Sequence, residues 1–136
     1  MAKVVRKVDY FVMHVASRAG TGARLLKALR DFDVNLLAFT AFPSGNGAQV
    51  DFVPEDSKEF LRAARTLGWE VSSRKVGFLV QGKDRAGALA GLLDKLGKAR
   101  INVIALDGVA TGRRFGAIFW VKTADVARAA KLLKAQ

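Results

Sequence analysis

The chain has 136 residues, 51% of them hydrophobic and 26% charged, which allows one compact domain or two very small ones and excludes a large multidomain enzyme. It has no cysteine and a single histidine, so disulfides, thiolate zinc sites, iron–sulfur clusters, a cysteine nucleophile and any site needing two imidazoles are excluded. Twenty-three Lys and Arg against twelve Asp and Glu leave a net charge of +11, which invites polyanions or a negatively charged ligand without specifying a fold.

Lys3-Val4-Val5 has the composition of an edge strand. Lys3, Arg6 and Lys7 ahead of the apolar stretch Tyr10–Ala16 imitate a secretory signal, but Asp9 and His14 interrupt it, so the segment is read as mature structure. His14 then falls in a strand on the face of Tyr10 and Val12, where a buried or edge position is expected. Leu25, Leu26 and Leu29 mark a first helix, and Val34-Asn35 leads into the following strand. Asp56 and Glu59 have the spacing of a capping box before a helix carrying Phe60, Leu61, Ala64 and Leu67. Trp69–Ser72 is predicted as a further strand, and Val76–Val80 as a short apolar one. From Ala86 to Ala99, leucines at 89, 92, 93 and 96 lie on one helical face. Ile101–Leu106 is a β-branched run, Gly108–Arg114 contains turn residues, and Phe115–Lys122 is another strand. Thr123 is positioned to cap a last helix with Val126, Ala127, Ala130 and Leu133 on one face and Asp125 in its first turn. The longest apolar run, Gly116–Val121, is far short of the roughly 20 residues of a membrane span, so a soluble, cytoplasmic protein is expected.

The chain contains itself twice. A shift of 67 residues carries Arg18-Ala19-Gly20 onto Arg85-Ala86-Gly87, Leu25, Leu26 and Leu29 onto Leu92, Leu93 and Leu96, and Val34-Asn35 onto Ile101-Asn102. A one-residue slip further on matches Arg62-Ala63-Ala64 to Arg128-Ala129-Ala130, a difference that a surface turn tolerates. Each copy reads βαββα. The predicted fold is therefore α+β, two ferredoxin-like βαββαβ units with antiparallel sheets. The expected boundaries are 7–73 for the first unit and 74–136 for the second. Because nothing follows the last helix, the N-terminal strand 2–6 is expected to complete the second unit.

A βαββαβ unit with Asp84-Arg85-Ala86-Gly87-Ala88-Leu89 after its first strand and Ile101-Asn102-Val103 in its second resembles the ACT domain, a small regulatory module that binds amino acids and other small ligands. The first copy carries the weaker form Ser17-Arg18-Ala19-Gly20-Thr21-Gly22 with Val34-Asn35-Leu36, and the resemblance to tandem ACT proteins covers nearly the whole chain. Both copies have Ala where proline commonly opens the helix, and the first lacks the Asp and the Leu. The resemblance implies a ligand site where two such units meet, built from both repeats or from two chains. On it, Asp84, Arg85, Ala86, Gly87, Ala88, Leu89 and Asn102 are the ligand-binding candidates, with Arg18, Ala19, Gly20, Thr21 and Asn35 as the first copy's set.

Physically, the motif offers backbone N–H groups of Gly87, Ala88 and Leu89 at a helix N-terminus, where the dipole favours an anion such as an α-carboxylate. Asn102 adds donors and acceptors suited to an ammonium and a carboxylate together. The alternative is that Gly87 simply opens a helix. A rival function comes from the basic charge: Arg113-Arg114-Phe115-Gly116-Ala117-Ile118-Phe119-Trp120 partly matches an RNA-recognition strand, but Arg114 replaces glycine and Ala117 a stacking aromatic. Strand aromatics are commonly core, and the basic residues are scattered over helix faces, so only nonspecific attraction to nucleic acid is expected. Catalysis is not indicated. His14 has no acidic partner by spacing, Asp51, Glu55, Asp56 and Glu59 lack the alternation of a calcium site, and no phosphate-binding glycine loop occurs. The expectation is a cofactor-free, metal-free regulatory protein binding a small ligand, an amino acid above all. A homodimer is expected, passing its output to a partner protein. A structural or oligomerisation role is the remaining alternative.

Overall fold

The computed structural model describes residues 3–136, so Ala2, which opens the expected strand 2–6, lies outside the described residues. The elements are β1 (Val4–Val15), α1 (Thr21–Asp31), β2 (Leu36–Ser44), β3 (Gly47–Pro54), α2 (Ser57–Leu67), β4 (Lys75–Lys83), α3 (Ala90–Lys98), β5 (Val103–Thr111), β6 (Arg114–Val121) and α4 (Val126–Leu133). A 3-10 turn, Thr123–Asp125, leads into α4. The fold is α+β, built of ferredoxin-like units with antiparallel strand pairs. One compact unit is Asp9–Lys75; the other is Val76–Gln136 with the N-terminal stretch through Val8.

In the first unit β3 pairs with β1 on one side and β2 on the other, and the register sets Phe11 opposite Phe52. Strand alternation puts both rings on the helix-covered face, where they meet Leu25 and Leu29 of α1 and Phe60, Ala63 and Ala64 of α2. Phe60 stacks on Phe11 at 5.1 Å, and Phe52 lies 5.2 Å from Phe60 and 5.7 Å from Trp69. In the second unit β6 pairs with β4 and β5, and Phe78 stands opposite Phe119 with ring centroids 5.1 Å apart. Leu92, Leu96 and Ala129 close this core from the helices. The start of β1 packs on it. Val5 is buried with Phe78 and Val80, and Gln136 brackets the strand by donating to Val5 O at 2.9 Å and accepting from Lys7 N at 3.0 Å.

The repeat extends to backbone punctuation. Positive φ among the described residues occurs at Gly20 and Gly87, at Asp33 and Arg100, at Gly45 and Gly112, and, with the one-residue slip, at Gly68 and Lys134. Both β2–β3 and β5–β6 hairpins turn on two residues led by such a glycine, the pattern a tight hairpin needs. Both outer strands also carry a register shift at the same place, Leu36/Ala38 and Val103/Ala105.

Several local expectations are corrected. Trp69–Ser72 is not a strand: Ser72 N–H donates to Val12 O at 2.9 Å, but the return bond from Val12 N–H goes to Ser72 Oγ, so no ladder propagates. The segment is held instead by Trp69 and Val71 packing on the core. The turn expected over Gly108–Arg114 shrinks to Gly112-Arg113, because β5 keeps pairing with β6 through Thr111. Asp56 does cap α2, accepting from Lys58 N and Glu59 N at 3.0 and 3.1 Å, but Glu59 does not reach back and instead pairs with Arg62. Thr123 makes no cap bond. The position matching Asp56 is Lys122, which cannot accept, and Asp125 is taken by Arg128 at 3.0 Å. His14 is exposed on β1, opposite Gln49 of β3, rather than buried.

Candidate functional site

Strand β4 delivers the chain into Asp84–Leu89 and β1 delivers it into Ser17–Gly20, and both loops close by the same turn. Ala88 N–H donates to Arg85 O at 3.1 Å, and Thr21 N–H to Arg18 O at 3.2 Å. The third residue of each turn, Gly87 with φ 69° and Gly20 with φ 92°, occupies the left-handed region that this turn requires. A Cβ at Gly20 would meet nothing within 4 Å, and one at Gly87 only Ala90 Cβ at 3.8 Å, so the demand is conformational rather than steric. With Gly87 left-handed, the helix cannot begin at Ala86. It begins at Ala90, and Ala88 N–H is occupied by Arg85 O instead of being open. Among the described residues, Gly87 and Leu89 N–H find no acceptor. Asp84, Arg85, Ala86 and Gly87 are exposed, Leu89 is half-buried, and Ala88 is buried in the core. Asp84 N–H is tied to Arg113 O at 2.9 Å. In the first unit Arg18, Ala19 and Gly20 are exposed and Thr21 Oγ1 donates to Ala16 O at 3.2 Å.

The helices that follow these two loops differ electrostatically from α2. Neither α1 nor α3 has a side-chain cap or an acidic residue in its first turn, whereas α2 has both Asp56 and Glu59. The positive N-terminal ends of α1 and α3 are therefore not compensated by a carboxylate of their own first turn or cap.

The asparagines lie elsewhere. Asn102 follows the C-terminal end of α3, and the nine residues of that helix hold it about 14 Å from the loop at the other end. Within one unit Gly87 and Asn102 do not face one small ligand. Asn102 is exposed, while Asn35 is committed: its Nδ2 donates to Glu55 Oε2 at 3.1 Å and its backbone carbonyl accepts from Glu55 N–H at 2.9 Å.

Other polar features escaped the sequence reading. Asp51 on β3 is only 6% exposed, and its carboxylate accepts from Thr40 Oγ1 at 3.1 Å and Gln49 Nε2 at 3.0 Å. Burial, and secondarily the Asp51 charge, push the Tyr10 phenol above its ordinary value. Strict alternation beside Phe52 was the available signal, since it assigns Asp51 to the sheet face away from the helices. An open cleft of ≈ 470 Å³ lies beside His14, Val15, Ala16, Ser44, Asn46 and Gly47, next to the first loop. Gly47 permits this close approach, since a Cβ there would stand 2.5 Å from Val15 O. Strand β6 offers no exposed aromatic to a nucleobase: Phe115, Phe119 and Trp120 are all buried, Phe119 in the helix-side core and Trp120 outside it with its indole over Gly77. No described helix is long and apolar enough to cross a membrane, and the described residues contain no cluster of three metal-ligating side chains.

This architecture, a duplicated ferredoxin-like unit with a glycine turn before an open helix end, is the tandem ACT fold. Solved structures share it across nearly the whole chain. A protein from Bacteroides thetaiotaomicron superimposes with a TM-score of 0.77 at 15% identity, covering 97% of this chain and 88% of that one. The ligand-free regulatory subunit of aspartate kinase from Thermus thermophilus gives 0.68 at 12% identity, covering 98% and 95%. The corresponding subunit from Thermus flavus gives 0.65 at 16%, covering 98% and 94%. No family model and no curated protein matches the sequence.

Proposed function

We propose that the protein is a non-catalytic regulatory protein that senses a small acid, an amino acid in the first instance, at an interface formed with a second copy of itself. The observation that carries this reading is the contrast between α2, capped by Asp56, and α3, whose N-terminal end is left without a carboxylate beside the free amides of Gly87 and Leu89. The ligand carboxylate sits on that loop, Asp84–Leu89. Because Asn102 stands at the far end of α3, the copy that reads the rest of the ligand supplies its own Asn102, which makes binding and dimer formation one event. The first unit's loop, Arg18–Thr21, is the weaker partner, since Asn35 is held by Glu55. Ligand binding then stabilises one packing of the copies over another and passes the change to a partner protein in the cytoplasm. The regulatory subunits of aspartate kinase among the structures of like fold support such a role.

The test is a thermal-shift screen of amino acids and small carboxylates at physiological salt, with the oligomeric state followed alongside. A cognate ligand raises Tm progressively with its concentration, by about 2.7 kcal/mol of stabilisation at one hundred times Kd. Gly87→Val, with a branched residue forced to positive φ, should lose that response. A flat screen in the native protein, or an undiminished response in a folded Gly87→Val, would overturn the reading.

A further inference from the structure

The second unit contains a separate cavity that the loops do not use. Its volume is ≈ 320 Å³, and it is lined by Lys3 and Val5 of the N-terminal segment, Gly91, Leu92 and Lys95 of α3, and Leu133 of α4. That size lies in the range of small-molecule sites. The floor is apolar: Val5 and Leu92 are core residues, and Leu133 packs against the same core. The rim is cationic. Lys3 is half-buried with its stem over Gly82, whose Cβ position lies 3.3 Å from Lys3 Cγ, and Lys95 is exposed. Neither ammonium forms an ion pair among the described residues. The neighbouring carboxylate of Asp94 pairs with Lys98 at 3.0 Å, leaving Lys95 uncommitted.

Gly91 lines the cavity from α3. It stands in the second position of α3, one helical turn before Lys95 and so on the same face. Glycine is unfavourable in a helix, and here it serves neither a turn nor a close contact, since its φ is not positive and a Cβ would meet nothing within 4 Å. Gly91 is nonetheless part of the cavity lining, so a side chain added there would border the site. The 67-residue repeat places Arg24, Ala28 and Glu70 of the first unit at the positions of Gly91, Lys95 and Lys3, so both the glycine and the paired cations belong to the second unit alone.

We propose that this cavity is a binding site for a small amphipathic anion, an aliphatic or aromatic body carrying one carboxylate or phosphate. The apolar body rests on Val5, Leu92 and Leu133, and the anionic head lies between Lys3 and Lys95. The site is independent of the loop Asp84–Leu89.

Isothermal titration calorimetry with octanoate tests it, with octyl phosphate, octanol and octylamine as companions. Octanoate and octyl phosphate bind at one site per chain, octanol binds more weakly, and octylamine does not bind. Lys95→Gln and Lys3→Gln each weaken octanoate by about tenfold, the loss expected for one charge-assisted contact. Gly91→Leu fills the cavity and removes binding while Tm is kept or raised, since a strong helix former replaces glycine at an open position. Gly87→Val leaves octanoate binding intact, which separates this site from the sensing loop. The proposal fails if octanoate gives no saturable heat, if octanol or octylamine binds as tightly as octanoate, or if Gly91→Leu binds octanoate like the native chain.

Discussion

The first unit buries Asp51 of β3 opposite Thr40 of β2, whereas the second buries Ile118 of β6 at the corresponding place and sets the acid on the outer strand as exposed Asp107. Their helix-facing neighbours are unchanged: Phe11 and Phe52 answer to Phe78 and Phe119, Leu25 and Leu29 to Leu92 and Leu96, and Ala63 to Ala129. The duplicated chain diverged where the helix-covered core made no demand on it. Registers, bulges and positive-φ turns repeat because a one-residue slip would turn every core side chain outward. The opposite sheet face and the helix ends carry no such demand. There the copies differ in charge, in Asn35 bound to Glu55 against a free Asn102, and in Arg24 against Gly91.

The aromatic cores test how alike the units are. Phe52 touches the rings of Phe39, Phe60 and Trp69, and Phe119 stacks on Phe78. Phe→Ala in such cores costs about 3–5 kcal/mol, and Phe52→Ala should fall at the upper end with Phe119→Ala below it by urea denaturation. Equal losses would mean that the extra rings around Phe52 add nothing.

Helix capping is the next difference. Asp56→Ala should cost about 1 kcal/mol, since it removes the acceptor for two amides of α2, while Thr123→Ala at the matching end of the second unit should change stability by only a few tenths of a kcal/mol. Equal costs in urea titrations would show that the caps do not distinguish the copies.

The smallest effect belongs to Tyr10. Its folded-state value is raised by burial and by Asp51, so the folded chain holds the phenolic proton more tightly than the unfolded chain. The resulting stability is fully present below the ordinary value of 10.0 and is lost as pH climbs through the raised folded value. Tyr10→Phe should flatten that alkaline decline, read by denaturant midpoints across the same range.

Much of this was legible in one sequence because the duplication checks itself. Leucine spacing, the Arg-Ala-Gly turns and the paired Val34-Asn35 and Ile101-Asn102 each occur twice, and the structure keeps them in equivalent places. The failures are local competitions that sequence does not decide. Ala86–Leu89 has a helical leucine phase but is overruled by Gly87, whose turn consumes Ala88 N–H and delays α3 to Ala90. Trp69–Ser72 has strand composition, yet Ser72 Oγ takes the bond that a ladder would have used. Gly87 and Asn102 both recur with the motif, but the intervening helix sets them a helix length apart.

What the amino-acid order determined by itself was periodic: two copies, their α+β character, and which face of each helix is apolar. Tertiary structure decided what depends on residues distant in the chain. It brought Val5 into the core of Phe78 and Phe119, opened a cavity between Lys3 and Lys95, and buried Asp51 against Thr40. Periodicity is a local property of the backbone, whereas burial and the partners of polar groups are set by which segments meet across the fold.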